Sequence, residues 1–315
     1  MRFRNMKILF IAMMLLLTAT ACSDTEKSGI PLAKEVTAAA TATNTEELLL
    51  IGDDEETFKI AIASILSIRE THRTYNKFLN YIERELGIPV EIVQKQTYSE
   101  IKRAFERGEV DAGIVCAYLA VLGNDAGIFE SVAKPVRNED EVFKSYIIVK
   151  KDADYQSLLD LKEKSFAFSD PLSYSGFLFP NYELRKSGYD VGNFFEKTYF
   201  TYSHDNTIVA VANGLVDGGA THSDVYKQLK QENDPVIDQI KIIGKGPYVG
   251  NSPLVVRPDI DSDVKEKLID VVLSMHLNRR GKWALNKLNV DYFVEPKPEL
   301  YEPVYGMLVD LGEKK

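Results

Sequence analysis

Two serines stand at a point of the sequence where a strand is predicted to pass into a helix. Residues 165–168 form an apolar run typical of a strand, residues 170–176 read DPLSYSG, and residues 177–186 have the pattern of a helix. Ser173 and Ser175 therefore lie at a helix N-terminus, where backbone N–H groups lack helical acceptors and the helix dipole is positive. Such a position binds small oxyanions. A simpler interpretation also stands, in which either serine is only the N-cap of that helix.

A second polar helix start follows further along the chain. Residues 199–202 are strand-like, and Ser203, His204 and Asp205 open the next predicted helix. Two hydroxyl-bearing helix starts in one chain predict a site for a small anionic ligand. The same three residues contain the atoms of a hydrolase triad, but adjacent residues do not line up as nucleophile, base and orienting group.

Other catalytic signatures are missing from the sequence. No GxSxG, HExxH, Walker A or GxGxxG motif occurs. The histidines are scattered without the spacing of metal ligands: His72, His204, His222 and His276. The sequence therefore predicts neither an enzyme nor a metal or cofactor site.

The elements that must position these residues include a repeated helix–strand unit. Residues 108–113 (GEVDAG) and 214–219 (GLVDGG) share the pattern Gly-x-Val-Asp-x-Gly, and each follows a predicted helix. The first glycine of each copy is predicted to be a left-handed helix cap, after which a strand begins. The distance between the copies is too long for a solenoid and suits two related α/β lobes.

Helices alternating with short apolar strands predict an α/β fold with mixed, mostly parallel sheets and helices on both faces. The predicted strands include residues 57–63, 90–93 and 112–115, and one helical face carries Tyr75, Phe78, Leu79, Ile82 and Leu86. Ligands of such sheets bind outside the carboxyl ends of the strands. Residues 146–150 and 252–257 are predicted to form a two-strand hinge between the lobes. Lobe 1 is then residues 57–146 plus 253–315, and lobe 2 is residues 147–252.

The N-terminus has the features of an export signal. Three basic residues precede an apolar stretch, residues 8–17, that is too short to span a bilayer. Residues 19–22 read ATAC, which resembles a bacterial lipobox, so residues 1–22 are predicted to be a lipoprotein signal peptide with lipid attached at Cys22. An ordinary secretory peptide is the alternative. Residues 23–56 are rich in Ala, Thr, Ser and Glu and are predicted to be a flexible tether.

Charge and cysteine content exclude two further interpretations. The formal net charge of −9 gives no electrostatic footprint for nucleic acid. With Cys22 lipidated, Cys116 is the one remaining cysteine of the sequence, so no internal disulfide is expected.

Five ordered motifs resemble the phosphate-, phosphite- and phosphonate-binding proteins of ABC importers, the PhnD-like family. They are residues 97–98 with residues 108–111, then residues 170–176, 203–205, 211–217 and 250–253. The resemblance covers residues 58–277. It implies a type II periplasmic-binding-protein fold, in which two α/β lobes hold the ligand in the cleft between them.

The resemblance also implies which residues bind the ligand. Ser173, Tyr174 and Ser175 would hold the oxyanion through hydroxyl and backbone N–H groups. His204 would donate a further hydrogen bond, and Tyr98 would reach in from lobe 1.

Two positions depart from relatives that bind aminoalkylphosphonates. Those relatives place two carboxylates around the ammonium group of the ligand, whereas this chain has Asp224 at the first position and Ser252 at the second. A small oxyanion without an amine is therefore the expected ligand. The simpler interpretation of Asp224 is a helix N-cap.

The resemblance implies a lipid-anchored, extracytoplasmic solute-binding protein at the cell membrane that delivers phosphonate, phosphite or phosphate to an ABC permease. We expect a monomer without a cofactor. Cys116 leaves an alternative open, because some PhnD-like proteins sense arsenite through a cleft cysteine and signal to a membrane histidine kinase. A thiolate suits trivalent arsenic, whereas an inert buried thiol is the simpler interpretation.

Overall fold

The computed structural model describes residues 57–314 of the chain. The predicted signal peptide, the tether and the lipidation site Cys22 lie outside the described residues. Within residues 57–314, no helix combines the length and the apolar character needed to cross a membrane.

Strands and helices alternate along most of the described chain. The strands are β1 (Phe58–Ile62), β2 (Val90–Gln94), β3 (Ala112–Ile114), β4 (Glu130–Val136), β5 (Val142–Phe143), β6 (Ser145–Lys150), β7 (Ser165–Phe168), β8 (Lys197–Phe200), β9 (Gly218–His222), β10 (Ile240–Lys245), β11 (Val249–Gly250), β12 (Leu254–Val256) and β13 (Tyr292–Val294). The helices are α1 (Ile68–Leu86), α2 (Tyr98–Glu106), α3 (Ala117–Asp125), α4 (Phe179–Lys186), α5 (Val191–Phe194), α6 (His204–Ala212), α7 (Ser223–Gln231), α8 (Ser262–Ser274), α9 (Arg279–Lys287) and α10 (Glu302–Asp310).

Two large sheets form the two lobes. The first lobe contains the sheet ordered β13-β4-β12-β3-β1-β2, and the second contains the sheet ordered β10-β6-β9-β7-β8. The parallel pairs are β1 with β2 and β3, and β7 with β8 and β9. The remaining strand pairs of the described chain are antiparallel. The α/β class is confirmed, but the parallel share is smaller than the alternation of helices and strands predicts. The reason is that β6 and β12 enter their sheets directly from the inter-lobe connection, without a crossover helix.

The connection between the lobes is a separate two-stranded ribbon. β5 pairs antiparallel with β11, with Phe143 opposite Val249 and Val142 opposite Gly250. The segments predicted as the hinge, residues 146–150 and 252–257, lie mostly within β6 and β12 and belong to the two sheets. The chain therefore crosses from one lobe to the other just before β6 and crosses back just before β12.

The repeated Gly-x-Val-Asp-x-Gly pattern performs the same task in each lobe. Gly108 and Gly214 follow α2 and α6 with φ of 66° and 67°, the left-handed conformation that the sequence predicts. Asp111 accepts a hydrogen bond from Lys59 N at 2.8 Å, and Asp217 accepts one from Ser165 N at 2.9 Å. Each aspartate thus ties the loop before β3 or β9 to the neighbouring parallel strand, β1 or β7.

The core confirms the predicted helical face and joins the lobes. The apolar face of α1 is buried, as the sequence predicts. Its buried residues are Tyr75, Phe78, Leu79, Ile82 and Leu86. One hydrophobic cluster holds first-lobe residues such as Ala61 and Phe105 together with second-lobe residues such as Phe166 and Phe168. The lobes are therefore packed against one another around the region where the ligand-binding residues were predicted.

Candidate ligand-binding site

The turn after β7 builds a helix N-terminus inside the protein. Ser173 is its N-cap, since its Oγ accepts a hydrogen bond from Gly176 N at 3.0 Å, and a π-helical turn, Tyr174–Leu178, leads into α4. The backbone N–H groups of Tyr174 and Ser175 belong to the first turn and have no helical acceptor. Ser173 and Ser175 are both buried. Ser173 is thus an N-cap, as the simpler interpretation expects, and the backbone N–H of Tyr174 is directed towards the sulfur of Cys116.

Tyr174 contributes its backbone to this turn while its side chain points elsewhere. Its hydroxyl donates to Pro247 O at 2.7 Å, and its ring packs edge-on against Phe143 with centroids 5.6 Å apart. The phenol is therefore committed to the inter-lobe connection. The phenol of Tyr174, which the resemblance offered as a ligand group, is therefore occupied in this arrangement.

His204 lies beside Ser173 at the start of α6. Its Nε2 is 3.3 Å from Ser173 Oγ, and its Nδ1 is 2.8 Å from Ser169 Oγ. Burial lowers the pKa of His204 well below the usual 6.5, and the nearby His222 lowers it further. The imidazole is therefore neutral at pH 7. Hereafter the oxyanion cradle means Ser173, the N–H groups of Tyr174 and Ser175, and His204.

Tyr98 approaches the cradle from the first lobe. It is the first residue of α2, and its backbone N donates to Asp170 Oδ2 across the lobe boundary at 3.0 Å. Its side chain is buried, and its hydroxyl has no hydrogen-bond partner within residues 57–314. Burial is the main cause that raises the pKa of Tyr98 well above its ordinary value, so the phenol stays protonated. An uncommitted O–H donor therefore lies where the lobes meet.

Further unpartnered polar atoms surround the same boundary. Ser203 Oγ in the second lobe, and Asn251 Oδ1 and Ser252 Oγ beside the connecting ribbon, are buried without a partner among the described residues. An unsatisfied buried polar group costs about 1–3 kcal/mol. Several around one boundary indicate a place built for a ligand or for ordered water.

Asp224 and Ser252 line one small cavity beside the connection. Its volume is ≈ 50 Å³, and its lining includes Tyr75, Arg137, His222 and Asn251. The carboxylate of Asp224 lies 3.4 Å from Lys227 Nζ, and its backbone N donates to His222 Nδ1 at 3.1 Å. The N-cap of α7 is His222, and Asp224 lies two residues after it in the first turn, so the N-cap interpretation of Asp224 is wrong. We call this space the hinge cavity.

Cys116 contacts the cradle turn as a thiol. It is the N-cap of α3, and its Sγ–H donates to Leu172 O in the other lobe at 3.0 Å. Burial raises the pKa of Cys116 to about 12. A protonated, hydrogen-bonded thiol is not the soft thiolate that would bind arsenite. The geometry of this thiol therefore disfavours the arsenite-sensor alternative. Separately, residues 57–314 contain no group of three or more His, Cys, Asp or Glu side chains that could hold a metal ion.

Two further hydrogen bonds cross the lobe boundary. Asp205 Oδ1 accepts from Ser67 N at 2.9 Å, just before α1, and His204 N donates to Ile65 O at 3.0 Å. Together with the Asp170–Tyr98 and Cys116–Leu172 contacts, they hold the lobes in a closed arrangement. The sequence singled out neither His222 nor Asn251 as a site residue. The turn at residues 250–253 was a signal for Asn251, whereas nothing in the local pattern marks His222.

Comparison with known proteins agrees with this geometry. Residues 60–301 match the family model described as "ABC transporter, phosphonate, periplasmic substrate-binding protein". The phosphonates-binding periplasmic protein of Escherichia coli K12 is 25% identical over 241 residues, which are 75% of this chain and 71% of the relative. The probable ABC transporter phosphite-binding protein PhnD1 of Prochlorococcus marinus MIT 9301 is 23% identical over 250 residues, which are 74% of this chain and 82% of the relative.

Solved structures share the fold. A binding protein component of an ABC phosphonate transporter from Pseudomonas aeruginosa has a TM-score of 0.77 and 25% identity, covering 82% of this chain and 87% of its own. PhnD1 from Prochlorococcus marinus in complex with methylphosphonate has a TM-score of 0.73 at 21% identity, covering 82% and 99%. The family match spans most of the chain and the fold is the same, so this chain belongs to the periplasmic substrate-binding proteins of phosphonate ABC transporters, which are extracytoplasmic transport components and not enzymes.

Proposed function

We propose that this chain is the solute-binding protein of an ABC importer and that it binds a small phosphorus oxyanion between its lobes. The observation that carries this is the convergence of free donors at the lobe boundary. The buried hydroxyls of Tyr98 and Ser203 have no partner among the described residues. Tyr98 is bonded through its backbone N to Asp170, just before the cradle turn, and Ser203 directly precedes His204 of the cradle. Phosphonate, phosphite and phosphate all present oxygens that such donors bind.

Neutral donors suit this task energetically. Each hydrogen bond to a charged oxygen contributes about 1.5–3 kcal/mol. Three to five of them, less the ordering cost of binding, give a Kd of about 1 μM, or about −8 kcal/mol. No buried countercharge has to be desolvated. The chain carries a net charge of −9, so local dipoles and not the overall field must hold the anion.

Closure of the lobes links binding to transport. The hydrogen bonds between Asp170 and Tyr98 and between Asp205 and Ser67 form only when the lobes meet. A ligand held by both lobes therefore shifts the population towards the closed form. We propose that an ABC permease recognises this closed form, and that lipid at Cys22 and the tether of residues 23–56 hold the protein at the membrane as a monomer.

Calorimetric titration tests the ligand class. We expect binding of at least one of phosphite, phosphate and methylphosphonate, with sulfate and arsenite as comparison anions. Tyr98→Phe removes one unpartnered hydroxyl and should weaken binding about tenfold, which corresponds to about 1.4 kcal/mol. Tyr189→Phe is the matched control, since Tyr189 is exposed. A folded sample that binds none of the phosphorus oxyanions contradicts the proposal.

Cell fractionation tests the anchor separately. Cys22→Ser removes the proposed lipidation site, so the protein should move from the membrane fraction to a soluble extracytoplasmic fraction. Retention of the variant in the membrane fraction would contradict lipid attachment at Cys22.

A further inference from the structure

The ring of His204 is held by a buried serine, Ser169, that lies directly after β7. Ser169 Oγ is 2.8 Å from His204 Nδ1 and 3.1 Å from Ala220 O. A third neighbour, Thr207 Oγ1, is 3.3 Å away. All four residues belong to the second lobe, so opening of the lobes leaves these contacts in place.

The single hydroxyl hydrogen of Ser169 fixes the position of the imidazole proton. A backbone carbonyl accepts and never donates, so the hydrogen in the bond to Ala220 O belongs to Ser169. Ser169 Oγ then has no hydrogen left for His204 and must accept one from Nδ1–H. The opposite tautomer would turn the Ser169 hydrogen towards Nδ1 and leave the bond to Ala220 O unmade. The proton is therefore assigned to Nδ1, because that tautomer satisfies more of these buried polar groups.

His204 Nε2 is consequently an acceptor. Burial lowers the pKa of His204 well below 6.5, so the neutral ring carries one proton, which is the proton on Nδ1. The bare Nε2 lies 3.3 Å from Ser173 Oγ. Ser173 Oγ already accepts from Gly176 N at 3.0 Å, and its own hydrogen points to Nε2. This polarity is the reverse of the donor role that the family resemblance implies for His204.

The groups around His204 keep this polarity at pH 7 and above. His204 begins α6, which packs against β6, β7, β9, β10 and α7. Among the titratable groups of the described chain, His222 on β9 is the one whose charge acts on His204, and burial lowers the pKa of His222 well below 6.5 as well. The carboxylate of Asp205 accepts from Ser67 N, and that of Asp170 accepts from two backbone N–H groups. The proton that can change at Nε2 is therefore one that the ligand brings.

We infer that the oxyanion cradle selects an oxyanion that still carries one proton, and that this P–OH group donates to His204 Nε2. The ligand hydroxyl replaces Ser173 as the donor to Nε2 and releases the Ser173 hydrogen to another oxygen of the ligand. A fully ionised oxygen would instead face the lone pair of Nε2 with no hydrogen between them, which is repulsive. This inference rests on the proposed function. It names the singly charged, protonated form of the phosphorus oxyanion as the ligand, and Ser169 as the residue that positions the imidazole proton.

Two ligands of the same shape and charge test the inference on the unmodified protein. Below the second pKa of methylphosphonate, methylphosphonate and methanesulfonate are both tetrahedral monoanions with one methyl group, and only the phosphonate carries a hydroxyl. Calorimetry should show that methylphosphonate binds about tenfold more tightly or better. Methanesulfonate binding within twofold of methylphosphonate would overturn the inference. Absence of binding by methylphosphonate, phosphite and phosphate at every pH would instead overturn the proposed function.

The pH dependence of affinity gives a second readout. If the protonated form binds, the Kd of the tightest-binding phosphorus oxyanion should rise about tenfold per pH unit above the second pKa of that ligand. Titrations in two buffers of different ionisation enthalpy should show the uptake of one proton per bound ligand in that range. A Kd that stays constant or falls there, without proton uptake, would overturn the inference.

Nitrogen-15 NMR of the folded protein separates a ligand proton from a proton taken up by the ring. The His204 signals should show Nδ1–H and a bare Nε2 both with and without ligand. An imidazolium, or a proton on Nε2, in the complex would overturn the inference.

Two serine variants separate the positioning role of Ser169 from a structural one. Ser169→Ala removes the acceptor of Nδ1–H, so the preference for methylphosphonate over methanesulfonate should fall about tenfold. Ser165→Ala is the matched control, because Ser165 lies at the other end of β7 and donates to Asp217 Oδ2 at 2.6 Å. It should keep the wild-type preference. An unchanged preference in Ser169→Ala would count against the inference.

Discussion

The carboxylate of Asp205 provides a direct test of lobe closure as the basis of affinity. Asp205 lies in the first turn of α6 in the second lobe and accepts a hydrogen bond from Ser67 N at the start of α1 in the first lobe, at 2.9 Å. Ser67 N is one of the donors that α1 itself leaves unsatisfied. Asp205→Ala removes this acceptor. The bond exists only in the closed form, so its loss should weaken ligand binding.

The structure sets the size of the effect. A charged hydrogen bond contributes about 1.5–3 kcal/mol, and an N-cap substitution costs about 0.5–2 kcal/mol. Asp205 is partly exposed, so we take about 1.5 kcal/mol. That energy corresponds to roughly a tenfold rise in Kd. The rise should come mainly from faster dissociation, because the bond breaks as the lobes open.

Calorimetry and stopped-flow dissociation with the tightest-binding phosphorus oxyanion measure both quantities. Asp190→Ala is a matched control, because Asp190 Oδ1 caps α5 through Gly192 N at 2.8 Å inside the second lobe. It should leave Kd unchanged. If Asp205→Ala binds within twofold of wild type, the cross-lobe bond does not contribute to affinity and the reasoning is refuted.

Three further predictions concern the thiol, the buried histidines and the glycine of the cradle. Ligand should slow alkylation of Cys116 in the folded protein, because closure buries the thiol and raises its pKa to about 12; mass spectrometry after timed labelling measures this. Burial lowers the pKa of His204 and His222 well below 6.5, so the unfolded chain binds more protons below that pH. The free energy of unfolding should therefore decrease as pH falls from about 6.5, by up to about 1.4 kcal/mol per histidine and pH unit, as measured by urea denaturation. Gly176→Ala should destabilise the fold and abolish binding, since its Cβ would lie 2.5 Å from a serine Cβ.

Each of these has its own control. Cys116→Ser removes the labelled thiol and should take up no label at that position, and equal labelling rates of wild type with and without ligand would contradict the first prediction. His222→Gln should reduce the pH slope of unfolding, and a slope equal to wild type would assign it to other groups. Gly306→Ala lies on α10 with open space around the added Cβ, so its thermal stability should not fall.

Much of the fold follows from local patterns of the sequence. The buried face of α1 is visible as apolar spacing, and the two left-handed glycines, Gly108 and Gly214, are visible as repeated caps. These features depend on a few neighbouring residues, and local sterics and amphipathicity decide them. The prediction of mostly parallel sheets is wrong, because strand direction depends on how the chain crosses between the lobes and not on local pattern.

The turn that carries Ser173 can also be predicted from neighbouring residues. The groups that this turn leaves available for a ligand depend on partners from distant parts of the chain. Ser173, the cradle serine, caps its helix because of residues beside it, whereas the phenol of Tyr174 is occupied by Pro247, far along the sequence. Cys116 could be a reactive thiolate by composition alone. Burial and a carbonyl from the other lobe make it a protonated thiol.

Local sequence patterns are enough to predict a two-lobed α/β protein with a helix N-terminus suited to an oxyanion. The polarity of the hinge cavity beside that helix depends on contacts that form only in the folded chain. The amide orientation of Asn251, the tautomer of His222 and the neutralisation of Asp224 each arise from partners brought together by folding. Hydrogen-bond polarity and desolvation are properties of an enclosed space, and that space exists only once both lobes surround it.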